Sequence, residues 1–348
     1  MAASLQEEAR RLRKRLEAQN ADPVTVALFG QPGAGKSSLI NKLVGRPLAT
    51  VGQKTDQTVQ AQIVEWEGLR LVDLPGYGTS KFPPNAWIKK FDPRSFDMFL
   101  CVFSGKFHSA DTKMFHDLEA KGRTCLFVRQ KSDTIWQEGK SQEELRAEIV
   151  EDVRRQVGKS VDVYFVSCVS GEGLGDLSDA IFARLPDAKR DRWSLSAKAY
   201  TRNALKRKKE AARERVRLHA GLAAANALNP IPGADIAIDV GNLLKLFEEI
   251  RKAYGITDRD LQTPIAPELV QVANRIIRWG TKDGLLALLK RYAARQTAER
   301  AAKYIPLVGQ AIAGMLGFAI AQRAGMDYLD QCHSLAEAIL NEALQHDG

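Results

Sequence analysis

Gly30-Gln31-Pro32-Gly33-Ala34-Gly35-Lys36-Ser37 sets three glycines, a lysine and a hydroxyl in the order that wraps a phosphate chain. Glycine lets successive backbone N–H groups close around phosphate oxygens with no Cβ in the way. Lys36 offers a cation to the β- and γ-phosphates, and the Ser37 hydroxyl is a ligand for Mg²⁺. A helix opening at Lys36, with Ser38 in its first turn, adds the positive end of its dipole. The apolar run VTVALF before the loop and KSSLINKLV after it are the strand and helix this motif requires.

Further motifs follow, each at the end of a β-rich run. Asp73-Leu-Pro-Gly76 stands 37 residues after Lys36. There Asp73 can hold an Mg²⁺-bound water and the Gly76 N–H can meet a γ-phosphate. A threonine ahead of the second strand should close over the metal and the γ-phosphate. Thr58 and Thr55 both qualify, and Thr58, nearer the strand, is preferred. In Lys131-Ser-Asp133 the Asp133 carboxylate can accept two hydrogen bonds from guanine N1 and N2, which adenine cannot offer. At Ser167-Cys168 a backbone N–H can contact guanine O6. The expected ligands are therefore GTP or GDP with Mg²⁺, and Lys36, Thr58 and Gly76 are the expected catalytic groups. Tyr77 occupies the position where Ras-like enzymes carry a water-orienting glutamine, and a phenol ring cannot do that work. Either hydrolysis is slow in the monomer or a group from elsewhere completes the site.

The elements that must position these residues alternate. β-rich runs fall at 24–29, 60–66, 69–72, 98–103, 125–128 and 161–166, with helical stretches such as 36–43 and 143–157 between them. Only Glu67-Gly68 separates the second and third runs, which predicts a hairpin, whereas the other connections are long enough for parallel crossovers. The expected fold is an α/β G domain with a mixed six-stranded sheet, mostly parallel, over residues 23–186. Residues 1–22 read as one amphipathic helix with Leu5, Ala9, Leu12 and Leu16 in a stripe. After Pro186 the β signal stops, so residues 187–348 form an all-α domain that the N-terminal helix joins.

Composition narrows the class. With 45% hydrophobic and 27% charged residues among 348, the chain can bury a real core in two domains, and wholesale disorder is excluded. Four scattered cysteines rule out a disulfide framework or a thiolate zinc site and fit a reducing cytoplasm. The N-terminus has no apolar secretory core, and Ala2 is not the glycine that myristoylation needs. Of the +9 net charge, eight units fall in residues 187–217, where twelve Lys and Arg face four Asp and Glu. Such a block either draws phosphates of nucleic acid or lipid, or lines a solvated helix face. Residues 304–322 carry no charge and could just cross a bilayer, but their glycines favour a buried packing helix.

The runs VDLPGYGTSKFPPNAWIKKFDPRSFDMFLCVFSGKFHSAD, LFVRQKSD, NPIPGADIAIDVGNLLKLFEEIRKAYGI and YIPLVGQAIAGMLGF resemble the immunity-related (interferon-inducible) GTPases, a dynamin-like family. The resemblance covers residues 24–345. It implies a Ras-like G domain beside a helical domain, GTP hydrolysis, and pairing of G domains into a homodimer or larger assembly. Some members act at membranes, so a cytoplasmic protein with a peripheral membrane surface is one expectation. The chain departs from the family in its short N-terminal segment, in Gln130 where Asn or Thr is usual, and in lacking the lipidated glycine. In this it resembles short bacterial relatives. Two other functions compete: a nucleotide-gated switch for a protein partner with slow hydrolysis, and an RNA- or ribosome-associated GTPase. The second is weaker, because Trp193 and Tyr200 are the only aromatics in the basic stretch, and nucleic acid is not an expected partner.

Overall fold

The computed structural model describes residues 7, 10–12, 14–17, 22–51, 61–75, 90–226, 234–263, 266–300 and 309–346. The chain divides into two compact units, residues 23–200 and residues 1–22 with 201–348.

The first unit is built on six strands: β1 (Val24–Phe29), β2 (Gln62–Trp66), β3 (Leu69–Asp73), β4 (Met98–Phe103), β5 (Cys125–Gln130) and β6 (Val163–Val166). Their order is β2-β3-β1-β4-β5-β6, with β2 antiparallel to β3 and every other pairing parallel. The predicted hairpin turns on Glu67 and Gly68, both at positive φ (45° and 88°), as a two-residue primed turn demands. All six residues of β1 are buried, because helices cover both faces of the sheet. Val24, Val26 and Leu28 pack with α1 (Lys36–Val44), while Ala27 and Phe29 face the cluster of α2 (Ser109–Glu119) and α3 (Gln142–Val157). α4 (Leu174–Arg184) adds Leu174, Leu177 and Ile181 to the first cluster.

The division between units falls after Tyr200, not at Pro186 as the loss of β signal suggested. α5 (Asp187–Ser196) packs back on the G domain, and its Trp193 is 2% exposed in the same cluster as Val24 and Leu69. Ser196 Oγ donates to the Glu67 carbonyl at 2.6 Å and Tyr200 donates to the Lys42 carbonyl at 2.6 Å. A helix with a buried tryptophan belongs to the core it fills, whatever the class of the residues after it.

The second unit is helical: α6 (Arg202–Asn226), α7 (Ala234–Ala253), α8 (Asp258–Gln262), α9 (Val270–Trp279), α10 (Lys282–Arg300) and α11 (Gly309–His346). Leu12 and Leu16 of the N-terminal stripe pack against Leu218 and Leu222 of α6. On α7, Val240, Leu243 and Phe247 are buried in one stripe. Phe247 stacks on Tyr328 of α11 with ring centroids 3.9 Å apart. A Cβ on Gly325 would come within 2.7 Å of Val216 Cγ1, so α6 and α11 approach too closely for any larger residue there. Most of the uncharged stretch at 304–322 lies outside the residues whose side chains are described. Among the described residues no helix is long and apolar enough to cross a membrane.

Lys208 of α6 is 2% exposed and donates to the Ala253 carbonyl at the end of α7 at 2.6 Å. Burial pushes its ammonium down to about 7. In the unfolded chain a lysine titrates near 10.4, so between these values the unfolded state holds the extra proton. Stability should therefore climb as pH rises from about 7 towards 10, and the burial penalty should be complete below 7. Lys208→Met is expected to flatten this dependence. In melting curves across that range the parent should gain on the variant as pH rises; parallel curves would mean that the folded protein keeps Lys208 charged.

Candidate nucleotide site

The phosphate loop follows β1 and Asp73 ends β3, which is hydrogen-bonded to β1 with Leu28 opposite Asp73. This register puts both at the carboxyl edge of the parallel strands, where α/β sheets take their ligands. Gly30, Gly33 and Gly35 have φ of 137°, 77° and 92°, so the loop is built from conformations that other residues avoid. Ala34 is buried beneath it, and Ser38 is half-buried in the first turn of α1.

Lys36 is 6% exposed, and its Nζ donates to the Gly30 carbonyl at 3.1 Å and the Gln31 carbonyl at 3.3 Å. Asp73 Oδ1 lies 3.7 Å from the same nitrogen, and Asp73 Oδ2 accepts from the Ser37 hydroxyl at 2.6 Å. Burial pushes Lys36 down and Asp73 up from their usual values, and each group's charge opposes the other's shift. Asp73 Oδ1 is buried without a hydrogen-bond partner. A hydroxyl and a half-satisfied carboxylate, both hard oxygen donors, suit a small divalent cation such as Mg²⁺.

The residues expected to read the base come from the ends of β5 and β6, where Gln130 pairs with Val166. Lys131 adopts φ 60° and starts the tight turn that carries Asp133, whose side chain is exposed. Ser132 is fully buried and donates to Glu172 at 2.6 Å, and Arg146 also pairs with Glu172. Ser167 serves the turn itself. Its N–H donates to the Glu172 carbonyl at 3.0 Å, and its hydroxyl accepts from the N–H groups of Val169 and Ser170 at 3.1 and 3.2 Å. Of the pair named for guanine O6, the Cys168 N–H is thus the remaining donor. Thr55, Thr58, Gly76 and Tyr77 lie outside the described residues.

Gln130, noted in the sequence only as a departure from the family pattern, is buried at the centre of the site. Its amide nitrogen donates to Cys168 Sγ at 2.7 Å and reaches the Gly35 carbonyl at 3.5 Å, while its Oε1 accepts from the Lys131 N–H at 3.0 Å. One buried side chain thus touches the phosphate loop, the Lys131 turn and the Cys168 turn. A Cβ on Gly35 would sit 2.7 Å from Gln130 Cγ, so that glycine also makes room for it. Its side chain reaches the loop from β5 across the intervening β4, a contact that sequence spacing does not reveal.

The glycines differ in what they protect. A Cβ on Gly30 would fall 1.9 Å from the Val102 carbonyl oxygen, and one on Gly33 would meet nothing within 4 Å. Gly33→Ala is expected to cost only the positive-φ term, about 1–2 kcal/mol. Gly30→Ala should cost more than about 4 kcal/mol, since strand β4 must move. Chemical denaturation of the two variants tests this, and equal losses would contradict the packing described.

The interferon-inducible GTPase (IIGP) family matches residues 2–308. Interferon-gamma-inducible GTPase 10 of Mus musculus is 25% identical over 265 residues, covering 69% of this chain and 62% of its own length. Interferon-inducible GTPase 5 of Bos taurus is 25% identical over 369 aligned positions, covering 97% of this chain and 79% of its own. Among solved structures, Aquifex aeolicus Era bound to GDP·AlF4⁻ is 16% identical, covers 60% of this chain and 68% of its own, and has a TM-score of 0.39. By the extent of the family match, the chain belongs to the interferon-inducible GTPase family.

Proposed function

We propose that the protein binds GTP with Mg²⁺, hydrolyses it to GDP and phosphate, and pairs through its G domains when GTP is bound. The observation that carries this reading is the convergence of the Lys36 ammonium and the Ser37 hydroxyl on Asp73, at 3.7 and 2.6 Å, at one end of the sheet. Gln130 joins that cluster to the Asp133 turn. In this reading the glycine-loop N–H groups and Lys36 hold the β- and γ-phosphates, and Asp133 reads guanine. Ser37 directly, and Asp73 through water, hold Mg²⁺, which neutralises phosphate charge when bound. Thr58 and Gly76 complete the γ-phosphate contacts. Tyr77 supplies no amide to orient water, so a group from a second copy completes the site, and turnover depends on pairing.

Base choice is tested by titration. Guanine nucleotides are expected to bind at least a hundredfold more tightly than ATP, because a buried polar contact left unpaired costs several kcal/mol. Asp133→Asn should shift preference towards xanthine nucleotides. Equal affinity for ATP and GTP would contradict the base assignment.

Assembly is tested by turnover. Specific activity is expected to rise with protein concentration, with GTP or a γ-phosphate mimic, but not GDP, shifting the protein from monomer to dimer or larger. Light scattering and phosphate release should be followed together, with and without liposomes, so that a membrane contribution is read in the same assay. Flat specific activity from a protein monomeric in every nucleotide state would favour the simple switch.

A further inference from the structure

Asp111, in the first turn of α2, is 1% exposed. Its Oδ1 accepts a hydrogen bond from Gln31 Nε2 at 3.4 Å, and its Oδ2 is buried with no hydrogen-bond partner. Burial pushes the carboxyl up, while the Gln31 amide, His108 and Lys36 pull it back. A half-satisfied carboxylate in the interior is a poor stabilising device, and an apolar residue of the same size would serve packing better. Such a group calls for another reason to be there.

Gln31 supplies the reason, because its two ends do different things. The side chain is held by Asp111. The main-chain carbonyl accepts from Lys36 Nζ at 3.3 Å and from the Ala34 N–H at 3.2 Å. Pro32 follows directly and restricts the Gln31 backbone, which limits how far its carbonyl can turn. The chain of contact therefore runs from α2 through one amide to the carbonyl that holds the phosphate-site cation.

We infer that Asp111 is a positioning residue for the phosphate loop, acting through Gln31 to hold the Lys36 ammonium at the phosphate site. The inference rests on the role proposed above for Lys36. It predicts coupling as well as loss, since two residues acting along one path cannot each remove the same contribution twice.

The test is a titration of the full chain with GTP and with GDP, in Gln31→Ala, Asp111→Ala, the double variant, Asp111→Asn and Lys36→Ala, with melting temperatures recorded for each. Each of Gln31→Ala and Asp111→Ala is expected to weaken GTP about tenfold, the scale of one lost buried hydrogen bond. The double variant should be no weaker than either single one. Asp111→Asn should recover most of the loss, because an asparagine Oδ1 accepts the same bond. Additive losses near a hundredfold in the double variant, or an Asp111→Asn as weak as Asp111→Ala, would overturn the inference. If Asp111→Ala does not fold, half-buried Gln31 decides alone, and wild-type GTP affinity in Gln31→Ala overturns it. Wild-type affinity in Lys36→Ala would instead reject the reading of the loop itself, so the two failures are distinct.

Discussion

The site depends on a buried positive charge. An ammonium that is 6% exposed is expensive to hold unless oxygen atoms surround it, and Lys36 has the Gly30 and Gln31 carbonyls and the Asp73 carboxylate around it. Each partner is delivered by a different feature of the chain. The carbonyls come from a loop that only positive-φ glycines can form, and Asp73 comes from the neighbouring strand through the Leu28–Asp73 register. A slip of one residue in the β1–β3 pairing would turn Asp73 to the other face of the sheet and leave the ammonium facing one partner fewer. The apolar pairing of β1 with β3 that fills the core therefore also sets the electrostatics of the site.

The second constraint is the link between the two halves of the edge. The phosphate loop follows β1 and the Asp133 turn follows β5, with β4 between them. Backbone pairing alone would leave these loops to move separately. Gln130 closes the gap with one amide that serves Gly35, Lys131 and Cys168. Glutamine is one methylene longer than the asparagine usual at this place, and that extra reach ends on a sulfur at 2.7 Å.

Much of this was legible in the residues. Strand alternation, the two-residue turn at Glu67-Gly68 and the long crossovers were enough for a mixed sheet with one antiparallel edge, because each is a local rule that the tertiary structure did not override. The phosphate loop was legible for the same reason. Contacts between residues distant in sequence were not. Gln31 and Asp111 are separated by 80 positions, Gln130 and Cys168 by 38, and no spacing rule connects them. Nor could a strand-end motif show that the Ser167 N–H is taken by the Glu172 carbonyl of its own turn.

The basic segment teaches the same lesson through charge. Counted along the chain, residues 187–217 look like a surface for phosphates. In the structure many of these cations are engaged internally. Lys189 donates to the Pro23 carbonyl and to Asp97, and Arg190 caps α4 through the carbonyls of Phe182, Ala183 and Leu185. Arg192 lies so close over Gly68 that a Cβ there would strike its guanidinium at 2.1 Å. Lys208 meets the end of α7, Lys209 pairs with Asp330, and Arg215 approaches Glu249. The segment also straddles the boundary between the two units, so its buried charges belong to two separate cores. A cation already holding a carbonyl or carboxylate must break that contact before it can bind a phosphate, and this reduces the electrostatic gain on which an RNA-binding reading relied.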